Sequence, residues 1–319
     1  MLRGILHLGD RKCAKRELIE GLALPERGYF WIDIEGQTAA DLKLIGDAYR
    51  LHPLALEDCE HLDQRPKLDE YDHYLFIVIH GFTNSAVEDE VNLHEVHIFF
   101  SPRFMITVHM DPHPALDRLW LLVQEEPETF SRGSDFLLHR LCDGLVDSDF
   151  PVLEHLSQTL ETLEDQVLDE QREFSAVPRF VVLKRSFSLM RRTLSPQREV
   201  LGQLIRLESG YVSDHAQAYF RDIYDHLVRL AELVEVEREL LASARDAHFT
   251  ILSHRTNEIM KRLTMASIIF LPLTVITGFF GMNFIHMPFD NDYLLLAMLT
   301  SMVIIPVLMV LWFQHRRWL

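Results

Sequence analysis

Two stretches near the end of the chain carry no charge. Leu263–Phe280 reads LTMASIIFLPLTVITGFF and Tyr293–Phe313 reads YLLLAMLTSMVIIPVLMVLWF, eighteen and twenty-one residues. As helices they rise about 27 and 32 Å, enough to cross a hydrocarbon core of ~30 Å. They predict two membrane spans, at 263–280 and 293–313. Two buried helices of a soluble fold are the alternative, but two such runs in succession are hard to bury in a chain of this size. Pro272 and Pro306 each remove a backbone donor inside a span, which transmembrane helices tolerate.

Upstream the pattern is that of a soluble protein. Tyr29–Ile34, Tyr74–Phe82, Val96–Phe100 and Phe104–His109 are aromatic and β-branched runs that predict strands, the last two joined by a tight Ser-Pro-Arg turn. Helical stretches near Thr38–Tyr49 and Ala115–Glu126 complete an α/β domain over residues 1–130. From Ser134 apolar residues recur at three and four, predicting long helices at Ser134–Phe174 and Pro178–Glu208 (a region spanning 131–208) with a break at SAVP. A turn follows, with Ser213 or Asp214 as a helix cap. No strong breaker then intervenes before Pro272, so a stalk helix over 209–262 runs into the first span. Acids at 161, 164, 165 and 169 share one helical face. A solvated face explains them better than a cation-attracting stripe.

Charge sets the topology and narrows the partners. The 319 residues include 31 basic and 48 acidic ones, a net charge of −17, with 48 % apolar residues. That balance argues against nucleic acid or an anionic lipid surface as the main partner and suits a protein that meets cations. Cys13, Cys59 and Cys142 are far apart and form no CxxC, which fits a reducing compartment. The N-terminus has no apolar core of a signal peptide, so none is expected. Lys261 and Arg262 precede the first span and Arg316 and Arg317 follow the second, whereas the 281–292 loop has only Asp290 and Asp292. The positive-inside rule places both termini, including the basic tail 314–319, in the cytosol. Trp312 and Trp318 suit interfacial anchors. A basic ring at a pore mouth is the other use of those four cations.

Enzyme signatures are absent: there is no GxGxxG, P-loop, GxSxG or HExxH, so no enzymatic activity is expected. His94-Glu95-Val96-His97 has the wrong spacing for a helical zinc site and sits in a strand-like context. Among 17 histidines such neighbours arise by chance. The informative pattern is in the first span. Ser267, Thr274, Gly278 and Gly281 recur at 7, 4 and 3, so small or weakly polar groups share one face, and Asn257 and Met260 extend it toward the cytosol. Close helix packing uses the same residue types as a pore lining, and the two uses are compatible.

Gly281-Met282-Asn283 at the exit of the first span, followed by Phe284 and Met287-Pro288, resembles the CorA family of magnesium transporters. Residues 257–284 resemble the family's pore helix throughout. Tyr219–His226 (YFRDIYDH) resembles its stalk, and His52–Lys67 (HPLALEDCEHLDQRPK) a stretch of its cytosolic domain. The resemblance implies a funnel-shaped homopentamer in the cell (inner) membrane, with α/β domains, long helices and two C-terminal spans, the first lining one central pore. It implies Mg²⁺ influx down the membrane potential. Gly281, Met282 and Asn283 become the outer selectivity site, Asn257, Thr274 and Gly278 polar pore contacts, and Met260 and Leu271 apolar constrictions that close by dewetting. Asp58 and Asp222 match two aspartates that share a regulatory Mg²⁺ between subunits. Where the family commonly has Glu after the external Met-Pro, this chain has Phe289, followed by Asp290 and Asp292.

Two other functions remain open on these residues. One is a transporter of Zn²⁺, Co²⁺ or Ni²⁺ on the same architecture. The other is a membrane-anchored divalent-cation sensor that does not conduct.

Overall fold

In the computed structural model the described residues are 28–61, 63–85, 89–125, 132–168, 176–207, 210–282 and 292–316, together with the backbone of 2–7. Their contacts divide the chain into two units, Met1–Arg245 and Asp246–Leu319.

The first unit is built on a six-stranded sheet ordered β1-β2-β6-β5-β4-β3: β1 Leu2–His7, β2 Tyr29–Glu35, β3 Lys67–Tyr71, β4 Tyr74–Asn84, β5 Val91–Ser101 and β6 Phe104–His109. Only β2 and β6 run parallel; the other pairs are antiparallel. The expected turn between β5 and β6 is present. Ser101 Oγ accepts the backbone N–H groups of Arg103 and Phe104 at 3.2 and 3.1 Å, replacing ladder partners the turn removes.

One face of the sheet packs beneath α1 (Ala39–Tyr49) and α2 (Pro53–Glu60), burying Phe30, Ile32, Ile34, Phe76, Phe99, Phe104 and Ile106 with Leu42, Ile45 and Tyr49. Thr38 caps α1 through a reciprocal box with Asp41, and Pro53 opens α2, where its missing N–H costs nothing. On the other face, Trp120 of α3 (Pro114–Glu125) meets the Trp31 ring edge-on at 5.4 Å. Trp31 Nε1 donates to Thr107 Oγ1 at 3.0 Å, and the Thr107 hydroxyl donates on to Asp33.

Four features exceed what the strand patterns predict: β1, β3 and the helix α2 do not stand out in the sequence, and β5 begins at Val91 rather than Val96. Strand β3 reads KLDEY, too polar to stand out. It exists because it pairs with β4 in the register Lys67↔Val78 to Tyr71↔Tyr74.

Long helices follow: α4 Ser134–Leu168, α5 Val177–Arg206 and α6 Asp214–Phe280. Helices α4 and α5 also serve the outer edge of β4. Asp149 Oδ1 accepts the Phe82 N–H at 2.9 Å and Gln197 Oε1 the His80 N–H at 2.8 Å. Burial pushes the Asp149 carboxyl well above the ordinary range, against the pull of that N–H. Arg179 on α5 holds Asp89, at the tip between β4 and β5, at 2.9 Å. Ser213 starts α6, its Oγ accepting the Ala216 N–H at 3.3 Å and donating to Asp135. Ile223, Leu227, Leu230, Val234 and Leu241 then bury one stripe of α6. The predicted uninterrupted stalk and first span are therefore one helix of 67 residues, with Pro272 inside it.

The second unit holds the C-terminal part of α6 and helix α7, Asp292–His315. Apolar windows in these helices have mean hydropathies of 2.0 and 2.7 with 6 % and 0 % of their residues buried. Leu263, Phe270, Leu271, Val275, Leu296 and Val303 are each more than 60 % exposed. So large an apolar surface requires lipid or further protein around it.

Candidate functional site

The stripe singled out in the sequence lies on one uninterrupted helix. Asn257, Met260, Ser267, Leu271, Thr274, Gly278 and Gly281 belong to α6 or its first residue beyond, and all are exposed in the single chain. The intervals 3, 7, 4, 3, 4 and 3 keep them on one slowly drifting face. Two hydroxyls on that face bond back to the helix: Ser267 Oγ donates to Leu263 O and Thr274 Oγ1 to Phe270 O, both at 3.0 Å. Their protons are thereby occupied in the helix, while oxygen lone pairs remain to accept from a hydrated cation.

At the end of α6 the last turn is closed by Gly281 N–H to Thr277 O at 2.9 Å and Met282 N–H to Phe279 O at 3.3 Å. A Cβ on Gly281 would stand 2.9 Å from Thr277 O, so this position admits a side chain only if the backbone moves; Gly278 has open space around it. Asn283 and the loop residues 284–291, Phe289 and Asp290 among them, lie outside the described residues.

The two aspartates have different partners within the chain. Asp58, on α2, accepts from Lys67 Nζ at 2.6 Å, and Lys67 also reaches Asp69 at 3.1 Å. Burial opposes the charge on Lys67, but its bonds to Asp58 and Asp69 outweigh that and raise its pKa. Asp222 is exposed on α6, one turn before His226.

There the structure assembles a cluster that the sequence reading missed. Asp143 and Asp147 are four residues apart on α4, as Asp222 and His226 are on α6. Ligand atoms of Asp143, Asp147 and His226 all lie within 4.8 Å of one another, His226 Nδ1 standing 3.6 Å from Asp147 Oδ1. Among the described residues that buried nitrogen has no hydrogen-bond partner. The Asp143 carboxyl is raised by burial and then by the charge of Asp147, with Asp222 adding to it. Nearby His139 is pushed down to about 4 by burial, and Asp222 pulls against that shift. Such a half-buried excess of negative charge with an unpaired nitrogen fits a divalent cation, which would relieve both. The i, i+4 acids of α4 were the available sequence signal, but only packing against α6 gives them a partner.

Comparison with known proteins bears on the family and the fold. A family model described as CorA-like Mg2+ transporter protein matches residues 26–317. The chain is 34 % identical over 311 residues to the putative metal ion transporter YfjQ of Bacillus subtilis, covering 97 % of this chain and 96 % of that one. It is 34 % identical over 297 residues to the cobalt/magnesium transport protein CorA of Thermotoga maritima, covering 91 % and 83 %. It is 24 % identical over 258 residues to the zinc transport protein ZntB of Yersinia enterocolitica, covering 80 % and 77 %. Among solved structures, that of the CorA magnesium transporter from Methanocaldococcus jannaschii superposes with a TM-score of 0.87 at 23 % identity, covering 100 % of this chain and 99 % of that one.

Proposed function

The chain belongs to the CorA-like Mg²⁺ transporter family of divalent-cation transporters, and we propose that it conducts Mg²⁺ into the cytosol down the membrane potential. The observation that carries this reading is the polar and small-residue stripe from Asn257 to Gly281 on a helix that is continuous through an unburied apolar span.

Two spans cannot enclose a conduit, so the pore requires several copies; the family resemblance supports a homopentamer in the cell membrane, and the basic residues flanking the spans support cytosolic termini. Mg²⁺ sheds water reluctantly, and neutral oxygens can bind its hydration shell without trapping the ion. Carbonyls of Gly281 and Met282 with the Asn283 amide form that filter. Asn257, Thr274 and Gly278 supply polar contacts below it. Met260 and Leu271, 55 % and 65 % exposed in the single chain, are the rings that dewet when the helices close.

Gating follows from the acidic groups. A regulatory Mg²⁺ held by Asp222 and Asp58 between subunits, with Asp143, Asp147 and His226 beside Asp222, supplies positive charge that lets neighbouring carboxylates coexist. When the cytosolic ion is scarce, two carboxylates about 4 Å apart repel by roughly 4 kcal/mol at an effective dielectric of 20. Taking a gate from 1:99 to 99:1 needs about 5.5 kcal/mol, which a few interfaces supply. The feedback is therefore negative: internal Mg²⁺ holds the pore shut.

The test is cation uptake into proteoliposomes with an inside-negative potential, with Mg²⁺ and Zn²⁺ run in parallel. Mg²⁺ uptake that rises with potential supports the proposal. Zn²⁺ movement that needs a pH gradient, with little for Mg²⁺, moves the protein to zinc transport. Metal-dependent conformational change without any flux, unaltered by Asn283→Ala, makes it a sensor.

A further inference from the structure

The conduction pathway and the acidic cluster leave one cavity of the first unit without a use. It is a cleft of about 150 Å³ between α5 and α6, lined by Phe180 and Lys184 from α5 and by Arg238, Leu241, Ala242 and Arg245 from α6. The spacing explains the lining. Phe180 and Lys184 are one turn apart, and Leu241, Ala242 and Arg245 follow Arg238 at 3, 4 and 7, so each helix presents a single face to the cleft. Phe180 and Leu241 form an apolar floor, each 6 % exposed. Lys184 and Arg245 are exposed at the rim, and Arg238 is half-buried.

In a chain of net charge −17 this cleft reverses the balance, since three cations line it and no carboxylate does. Arg238 Nη1 donates to Glu235 Oε2 at 2.7 Å. Glu235 also pairs with Arg191, so one carboxylate is divided between two guanidinium groups and does not neutralise both. A guanidinium has five N–H donors, which leaves Arg238 others to offer the cleft. Lys184 has no ion pair or hydrogen bond among the described residues. Arg245 is engaged within the chain and adds its charge at the rim. Like charges around one cleft repel one another, and an anion relieves that repulsion.

Size and donor set choose the anion. Pockets that enclose a drug-sized ligand measure about 300–1,000 Å³, so this cleft is too small for a nucleotide and suits an anion of headgroup size. A carboxylate has two oxygens, which a single guanidinium fork satisfies. An ammonium and a guanidinium arriving from two helices suit the three terminal oxygens of a phosphate ester. The Phe180–Leu241 floor suits the few carbon atoms that such a phosphate carries.

We propose that the α5–α6 cleft binds a small phosphate monoester, with its phosphoryl oxygens held by Lys184 and Arg238 and its carbon end on Phe180 and Leu241. The ester braces α5 against α6. A soluble phosphate ester and a lipid phosphate share this chemistry.

The experiment titrates glycerol 3-phosphate into full-length protein in detergent by calorimetry. Ionic strength and free Mg²⁺ are held fixed, so that chelation by the phosphate does not mimic binding. Saturable binding of one ester per chain is expected, at least about tenfold weaker in Lys184→Gln/Arg238→Gln. If glycerol 3-phosphate does not bind, the same proteins in nanodiscs with and without phosphatidic acid read the lipid source. A Tm raised by phosphatidic acid in the parent and not in the variant then supports the site. Binding of neither probe, equal affinity in parent and variant, or acetate binding as tightly as the ester overturns it. Should the double variant not fold, Lys184→Gln alone, at an exposed position, carries the comparison.

Discussion

Asp58 Oδ2 and Lys67 Nζ lie 2.6 Å apart, so the aspartate assigned to the regulatory ion is already neutralised inside its own chain. A divalent ion arriving at Asp58 must share the carboxylate with this ammonium or displace it. Lys67→Met keeps the aliphatic stem and removes the competitor. Inhibition by internal Mg²⁺ should then set in at a concentration roughly three- to tenfold lower, the effect of about 0.7–1.4 kcal/mol. The check is the half-inhibitory internal Mg²⁺ in proteoliposomes; an unchanged or higher value removes Lys67 from gating.

The double substitution Asp58→Ala with Asp222→Ala should leave flux insensitive to internal Mg²⁺. Inhibition that persists at its original concentration would falsify the intersubunit sensor.

Asp143 is raised by burial and by Asp147, so its negative charge opposes the metal-free fold. Asp143→Asn is expected to raise the Tm of metal-free protein while shrinking the Tm increase that Mg²⁺ produces. Thermal unfolding with and without Mg²⁺ reads both quantities, and an undiminished Mg²⁺ effect would remove Asp143 from the ion site.

Gly281→Ala forces a shift, since the new Cβ meets Thr277 O at 2.9 Å, whereas at Gly278 the equivalent position meets nothing within 4 Å apart from the helix's own backbone. Flux should fall at least about tenfold in Gly281→Ala, on the order of 1.4 kcal/mol of barrier, with assembly by size exclusion unchanged. Gly278→Ala should leave the helix content of the full-length protein unchanged by circular dichroism. Equal flux in Gly281→Ala and the parent would show that the turn tolerates displacement.

Acid should unfold the first unit through its histidines. His80 and His139 have folded pKa values near 4 and His113 near 3, all lowered chiefly by burial from an ordinary 6.5. The charges facing them are Glu95 and His97 at His80, Arg140 and Asp222 at His139, and His94, His109 and Arg118 at His113. Because the folded values lie below the unfolded one, the unfolded chain binds more protons in this window. Stability is full above pH 6.5 and falls as pH drops toward 4, by about 1.4 kcal/mol per pH unit for each proton taken up. His109 is raised: burial lowers it, but Asp33 outweighs that, so it contributes in the opposite sense. Denaturant midpoints between pH 6.5 and 5, in chelator, should decline; a flat profile contradicts burial of neutral imidazoles.

Much of this architecture was legible without coordinates. Both C-terminal apolar helices, the four central strands, the Ser-Pro-Arg turn, the Ser213 cap and the uninterrupted stalk follow from signals within a few residues of each other. Strand β3 was not, because KLDEY forms a strand only by pairing with β4. The site divides in the same way. The Asn257–Gly281 stripe depends on the period of a single helix, so spacing alone determined which residues share a face. Which partners meet was decided by tertiary structure: Lys67 with Asp58, Asp143 and Asp147 with His226, and His80 with Glu95 and His97. These groups lie on separate elements, and their proximity is set by strand register and by the packing of α4 on α6, free energies summed over many apolar contacts that no local pattern records.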